Sequence, residues 1–249
     1  MVASRAPRLL ALAAALGTLA GCGSPGNTAP PPLEITAQSG VANGIDTLGS
    51  DALAARILDD VEGQDSVRIE GSFSEPVPGE YDRVPALRPP EKMRMERTGT
   101  RAGYRLVVAS ESLSADLIIR GSRVWARGNA GLEKLLGTPV SEEEYGLVEG
   151  SRPGLAALLR LGDPRELLES ILTPPRARAE FSVSEVLGGE HPGVQFAVTT
   201  AGSLAGTLTV SGVDRALPTE IALSDGTGSA TLSLEGWGTT PEVAAPPDK

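Results

Sequence analysis

The chain has 249 residues, a net charge of -10 and 40% hydrophobic residues, with one cysteine and one histidine. That acidity argues against nucleic acid as a partner, and a single cysteine excludes an internal disulfide. Aromatic residues make up only 3% of the chain, so the core must be built mainly from aliphatic side chains.

The N-terminus begins with Arg5 and Arg8, followed by an apolar run from Leu9 to Ala20. This run is much shorter than the roughly 20 residues a membrane-spanning helix needs, and it has the layout of a signal peptide over residues 1–21. Leu19-Ala20-Gly21-Cys22 resembles the bacterial lipobox, whose cysteine sulfur receives a diacylglyceryl group and becomes the first residue after cleavage. Cys22 is therefore the expected lipidation site. Two or more acyl chains, each methylene contributing about 0.8 kcal/mol, hold a protein stably where one chain does not. The expected location is the extracytoplasmic face of the cell membrane, with the lipid anchor as the contact to the membrane. The alternative is an ordinary secretory signal, which leaves a lone thiol in an exported protein unexplained. Residues 22–50, rich in Gly, Pro, Ser, Thr, Ala and Asn, read as the lipidated cysteine and a flexible tether.

A domain is expected over residues 51–238. Asp51 is placed to cap a helix carrying Leu53, Ile57, Leu58 and Val61 and ending near Gly63. Ser66 to Ser74 alternates, with Val67, Ile69, Gly71 and Phe73 on one face, as a half-buried strand does. From Glu75 to Pro90 the prolines forbid a central strand, which predicts a long surface excursion. Lys92 to Thr98, Tyr104 to Ala109, Leu113 to Ile119 and Arg123 to Arg127 then read as strands joined by glycine-bearing turns. Short links make consecutive strands antiparallel, so these form a meander.

Pro153 opens a predicted helix over Gly154 to Leu161, and Asp163-Pro164 supplies N-cap and first residue for Arg165 to Leu172. Strands return at Ala177 to Leu187, Gly193 to Thr200, Ser203 to Ser211, Leu217 to Leu223 and Ser229 to Trp237. Residues 239–249 are expected to be a disordered tail. The pattern predicts an α+β fold, a strongly curved antiparallel β-sheet with helices packed over its concave side.

Several stretches carry a family resemblance. Ser114-Ala115-Asp116-Leu117-Ile118-Ile119 is followed by Gly121, Val124 and Trp125; Leu187 to Gly193 is a glycine-bearing hairpin; Leu217-Pro218 opens a strand; and Leu234-Glu235-Gly236-Trp237-Gly238 ends the last one. Together with the order of elements, these resemble actinobacterial lipoproteins of the LppX/LprG type, whose domain is a LolA-like half-barrel. The resemblance implies an apolar cavity that takes acyl chains of lipids or lipoglycans. The proline-rich excursion departs from the family hairpin.

Catalytic and metal-binding patterns are missing from the residues. His191 sits between turn-forming residues, as a solvated hairpin histidine does. No Gly-x-Ser-x-Gly elbow, phosphate-cradling loop or paired-histidine zinc motif occurs, so no enzyme activity and no cofactor or metal are expected. Glu142-Glu143-Glu144 with Glu149 lacks regular ligand spacing and reads as a solvated loop. Gly226-x-Gly228 reads as a hairpin turn. The leucine-rich helices are read two ways, as plain core or as the wall of an acyl site formed by Leu155, Leu158, Leu159, Leu167, Leu168 and Ile171. Trp125 and Trp237 are expected to be structural. The function expected is binding or carriage of an acylated amphiphile by a membrane-anchored lipoprotein; the alternative is an envelope interaction or sensor module on the same scaffold, with an unknown protein partner.

Overall fold

The computed structural model describes residues 41–75, 91–148, 152–173, 179–200, 202–224 and 228–247. All of them belong to one compact unit, Ser39–Lys249. The expected signal peptide, Cys22, the expected tether as far as Gly40, and the predicted excursion beyond Glu75 lie outside the described residues, as do Glu149 and Gly226.

The strands are β1 (Ser66–Glu75), β2 (Glu91–Thr100), β3 (Gly103–Ala109), β4 (Ser114–Arg120), β5 (Arg123–Gly128), β6 (Gly146–Leu147), β7 (Ala179–Leu187), β8 (Gly193–Thr200), β9 (Ser203–Ser211), β10 (Pro218–Ser224) and β11 (Ser229–Glu235). They form one open antiparallel sheet in the order β6-β5-β4-β3-β2-β1-β11-β10-β9-β8-β7. Two meanders thus meet at the centre, where the first strand pairs with the last, Ile69 opposite Leu234. Among the described residues the α-helices are α1 (Ser50–Glu62), α2 (Ala130–Leu136), α3 (Pro153–Gly162) and α4 (Pro164–Leu172).

This order explains where the helices go. β6 and β7 are the two outer edges of the sheet, and α3 and α4 lie between them in sequence. The chain must therefore cross from one edge to the other, and crossing over the apolar face buries leucines that would otherwise be wet. Inward-facing Leu106, Leu117, Phe196, Leu208, Ile221 and Leu232 join Leu53, Ile57, Leu132 and Leu168 of the helices in one core cluster. Each fully buried aliphatic side chain contributes roughly 1.5 to 3 kcal/mol.

Curvature is built in at two glycines. Gly71 (φ 156°) and Gly206 (φ 146°) sit inside strands, and a Cβ there would lie 2.0 Å from the Thr231 carbonyl oxygen and 1.9 Å from that of Ala222. Only glycine lets the neighbouring strand come so close, and such positions bend a sheet.

The structure departs from the sequence expectations in four places. First, Ile45 is fully buried in a 3-10 turn over Ile45–Thr47, and Val41 and Leu48 pack on the core; the tether expected through Ser50 has joined the domain by Val41. Second, the first helix is capped by Gly49 rather than Asp51. Third, α2 and β6 occupy a stretch with no predicted element. Asn129 Oδ1 accepts from the Gly131 and Leu132 amides and Gly137 closes α2 in the left-handed region, but seven residues are too few to display a helical period. Fourth, the tail expected to be disordered from 239 is laid against β3 and β4. The Val243 amide donates to the Gly103 carbonyl at 3.2 Å, and Arg120 pairs with Glu242 at 2.5 Å.

Candidate functional site

The helix pair opposite the centre of the sheet is where the sequence places an apolar site. α3 starts at Pro153, whose missing amide costs nothing at a helix start. α4 is capped by Asp163, whose carboxylate accepts from the Arg165 and Glu166 amides at 2.8 and 3.1 Å. Leu155, Leu158 and Leu168 are buried, Leu168 to 0% exposure, and they belong to the continuous core. Leu159, Leu167 and Ile171 are half-buried and pack on the flank of that cluster. A side chain lining an open cavity keeps accessible surface, so the first three are packed core residues in this state rather than cavity walls.

Sequence reasoning missed Arg97, which sits on the inner face of β2 among apolar residues and is 1% exposed. Its Nε donates to the Gly162 carbonyl (3.2 Å), Nη1 to those of Val67 (2.6 Å) and Gly99 (2.7 Å), and Nη2 to that of Thr100 (3.3 Å). The guanidinium carbon lies 4.8 Å from the centre of the Tyr104 ring. Burial pushes the guanidinium down to about 10 and the Tyr104 phenol up to about 12. The cation meets the carbonyl end of α3, where the helix dipole favours positive charge. Gly162 is required there, because a Cβ would fall 2.7 Å from the Tyr104 ring. Arg97 thus pins the α3–α4 junction to the sheet. The sign was present in the alternation Met93, Met95, Arg97, Gly99, in which a charge occupies the apolar phase.

At the β7 edge, an open groove of about 660 Å³ is lined by Gly49, Ser50, Asp51 and Ala52 of the α1 start and by Glu180, Phe181, Ser182 and Thr199. None of the six leucine and isoleucine positions singled out from the sequence lines it. Ser50 Oγ accepts from the Phe181 amide at 2.9 Å and so covers part of the free edge of β7. Beyond it Val183 and Val186 are 44% and 48% exposed.

On the outer face, Asp116 collects two arginines. Arg105 donates to it through Nε and Nη2, each at 2.8 Å, and Arg127 through Nε and Nη2 at 2.9 and 2.7 Å. Arg127 also stacks 4.6 Å from the Tyr145 ring centre. Burial opposes ionisation of Asp116, but hydrogen bonds from Arg105, Arg127 and Tyr145 together outweigh it and hold the carboxyl below its ordinary range. The Asp116 carboxylate is fully engaged by the two guanidiniums, which makes the cluster a brace across β3, β4 and β5 rather than a reactive site.

His191 is exposed between β7 and β8, and Glu142, Glu143 and Glu144 are exposed before β6. Trp125 lies half-buried on the outer face. Trp237 packs against the core with its indole N–H donating to the Pro218 carbonyl at 2.9 Å. Among the described residues no helix is long and apolar enough to cross a membrane, and no group of three or more His, Cys, Asp or Glu is gathered for a metal.

No protein-family model and no curated protein sequence matches the chain. Among solved structures the chain is similar to the Mycobacterium tuberculosis lipoprotein LppX, with 12% identity over 78% of this chain and 99% of that one and a TM-score of 0.42. It is also similar to LprF from Mycobacterium bovis, with 11% identity over 79% of this chain and 96% of that one and a TM-score of 0.41.

Proposed function

We propose that the protein is an extracytoplasmic lipoprotein, anchored through Cys22, that binds the acyl part of an amphiphile between the α3–α4 pair and the inner face of the sheet. One observation carries the reading. The layer between helices and sheet is almost wholly aliphatic, and among the described residues the only hydrogen bond from a strand to α3 or α4 is that of Arg97 to Gly162. Apolar packing without fixed polar partners exchanges readily for packing against an acyl chain. Leu159, Leu167 and Ile171, half-buried at the flank, are the first side chains such a chain would meet, and Leu155, Leu158 and Leu168 would follow as the helices part from the sheet.

A second reading is favoured by the closed packing of Leu168: an envelope interaction module whose core stays filled. Mass spectrometry of organic extracts from protein purified out of its own membrane, with titration of a fluorescent fatty acid, separates the two. Carriage predicts an extractable acylated species and saturable binding that Leu159→Ser with Leu167→Ser weakens roughly tenfold, as expected for two lost apolar contacts, while the denaturation midpoint moves little. A wild-type protein with no extractable lipid and no binding supports the interaction module instead. The anchor is tested separately by Cys22→Ala, which should release the protein from membranes.

A further inference from the structure

The outer face of the sheet is electrically divided, and we propose that its β1–β5 half docks on an anionic phospholipid surface. Outward-facing Lys92, Arg94 and Arg123 are exposed and have no ion-pair partner among the described residues. Arg105 and Arg127 share the single carboxylate of Asp116, leaving one further positive charge. The other cations of this face are matched, Arg68 by Glu70 and Arg120 by Glu242. Against this excess stands Glu96, and exposed Glu142 to Glu144 bound the face beside β6.

The β7–β11 half has the opposite character. No lysine or arginine occurs in those five strands, and Glu180, Glu185, Glu220 and Glu235 are all exposed. In a chain of net charge -10, a positive half-face beside a negative one orients the molecule in the field of an anionic surface. Half-buried Trp125, set among these arginines, adds an amphipathic ring of the kind that favours the lipid–water boundary. The inference rests on the membrane-anchor reading for its biological setting. The anchor brings the domain to the surface, and the outer face decides which side turns toward it.

The test uses the chain from residue 22 onward carrying Cys22→Ala, so that no acyl group contributes, in flotation with vesicles of phosphatidylglycerol and phosphatidylcholine or of phosphatidylcholine alone. Binding is expected only to the anionic vesicles and should disappear as salt rises from about 0.05 to about 0.5 M. Arg94→Gln with Arg123→Gln should weaken it roughly 25-fold, about fivefold for each basic residue lost near the surface. Ser184→Glu with Thr219→Glu makes the same change in net charge on the opposite half and should leave binding within about twofold. Equal weakening by both pairs, no preference for anionic vesicles, or binding to a soluble anionic polysaccharide but not to vesicles would each overturn the proposal. None of these outcomes bears on the anchor, which the release of Cys22→Ala from cell membranes tests by itself.

Discussion

The two halves of the sheet are both antiparallel meanders leading away from the β1–β11 pair, yet they use their sequences differently. Strands β1 to β5 carry Arg68, Lys92, Arg94, Arg97, Arg105, Arg120, Arg123 and Arg127, whereas β7 to β11 carry outward hydroxyls such as Ser182, Thr207, Thr209, Thr231 and Ser233. The first half braces its outer face with the Arg105–Asp116–Arg127 cluster; the second has register shifts at Val183/Glu185, Val198/Thr199 and Pro218/Glu220. Both inner faces are mainly apolar, and the first carries the buried charge of Arg97. Alternation of strand side chains decides which residues must be apolar, and the outer positions are then free to serve charge, curvature or contact.

The largest effect is expected for Arg97→Met. The substitution leaves the buried carbonyls of Val67, Gly99, Thr100 and Gly162 without the donor that now serves them. It should cost about 3 to 5 kcal/mol in urea denaturation and loosen α3 and α4 first in hydrogen exchange. An unchanged midpoint would mean that the first half needs no polar interior and is equivalent to the second.

A smaller effect is expected at Asp116. Its carboxyl is held below the ordinary value in the folded protein, so its contribution is complete above the unfolded value near 4 and is lost as pH falls through the lower, folded one. Asp116→Asn should cost roughly 1 to 2 kcal/mol at pH 7 and flatten the acid limb of the stability curve. Identical acid limbs for the two proteins would remove the brace from the account. The smallest effect is at Trp237→Phe, which keeps an aromatic ring against the core but loses the hydrogen bond to Pro218 and part of the indole's contacts, a change read by urea denaturation. It should lower stability by about 1 kcal/mol.

The elements most legible in the sequence were those that repeat a period several times. β1 shows its inner face through Val67, Ile69 and Phe73, all buried, and α4 shows its start because Asp163 and Pro164 act locally. Short elements were not legible. α2 depends on one asparagine side chain and a left-handed glycine, and β6 is two residues that pair only because β5 is already in place. The candidate site was legible in part. The leucines of α3 and α4 announced a buried face, but nothing local tells a packed core from a cavity, since both need the same apolar side chains.

What is local and periodic could be read from residue order: the apolar run from Leu9 to Ala20 before Gly21 and Cys22, the helix starts, the alternation of the strands, and the acidity that makes nucleic acid an unfavourable partner. What depends on residues far apart in the chain emerged only on folding. Folding placed β11 beside β1, sent the helix pair across the sheet between its two edges, drew Ile45 and Val243 onto the domain, and gave Arg97 four carbonyls from three separate segments. The physical reason is that a buried charge is tolerated only where distant backbone groups converge on it. No window of sequence contains that convergence.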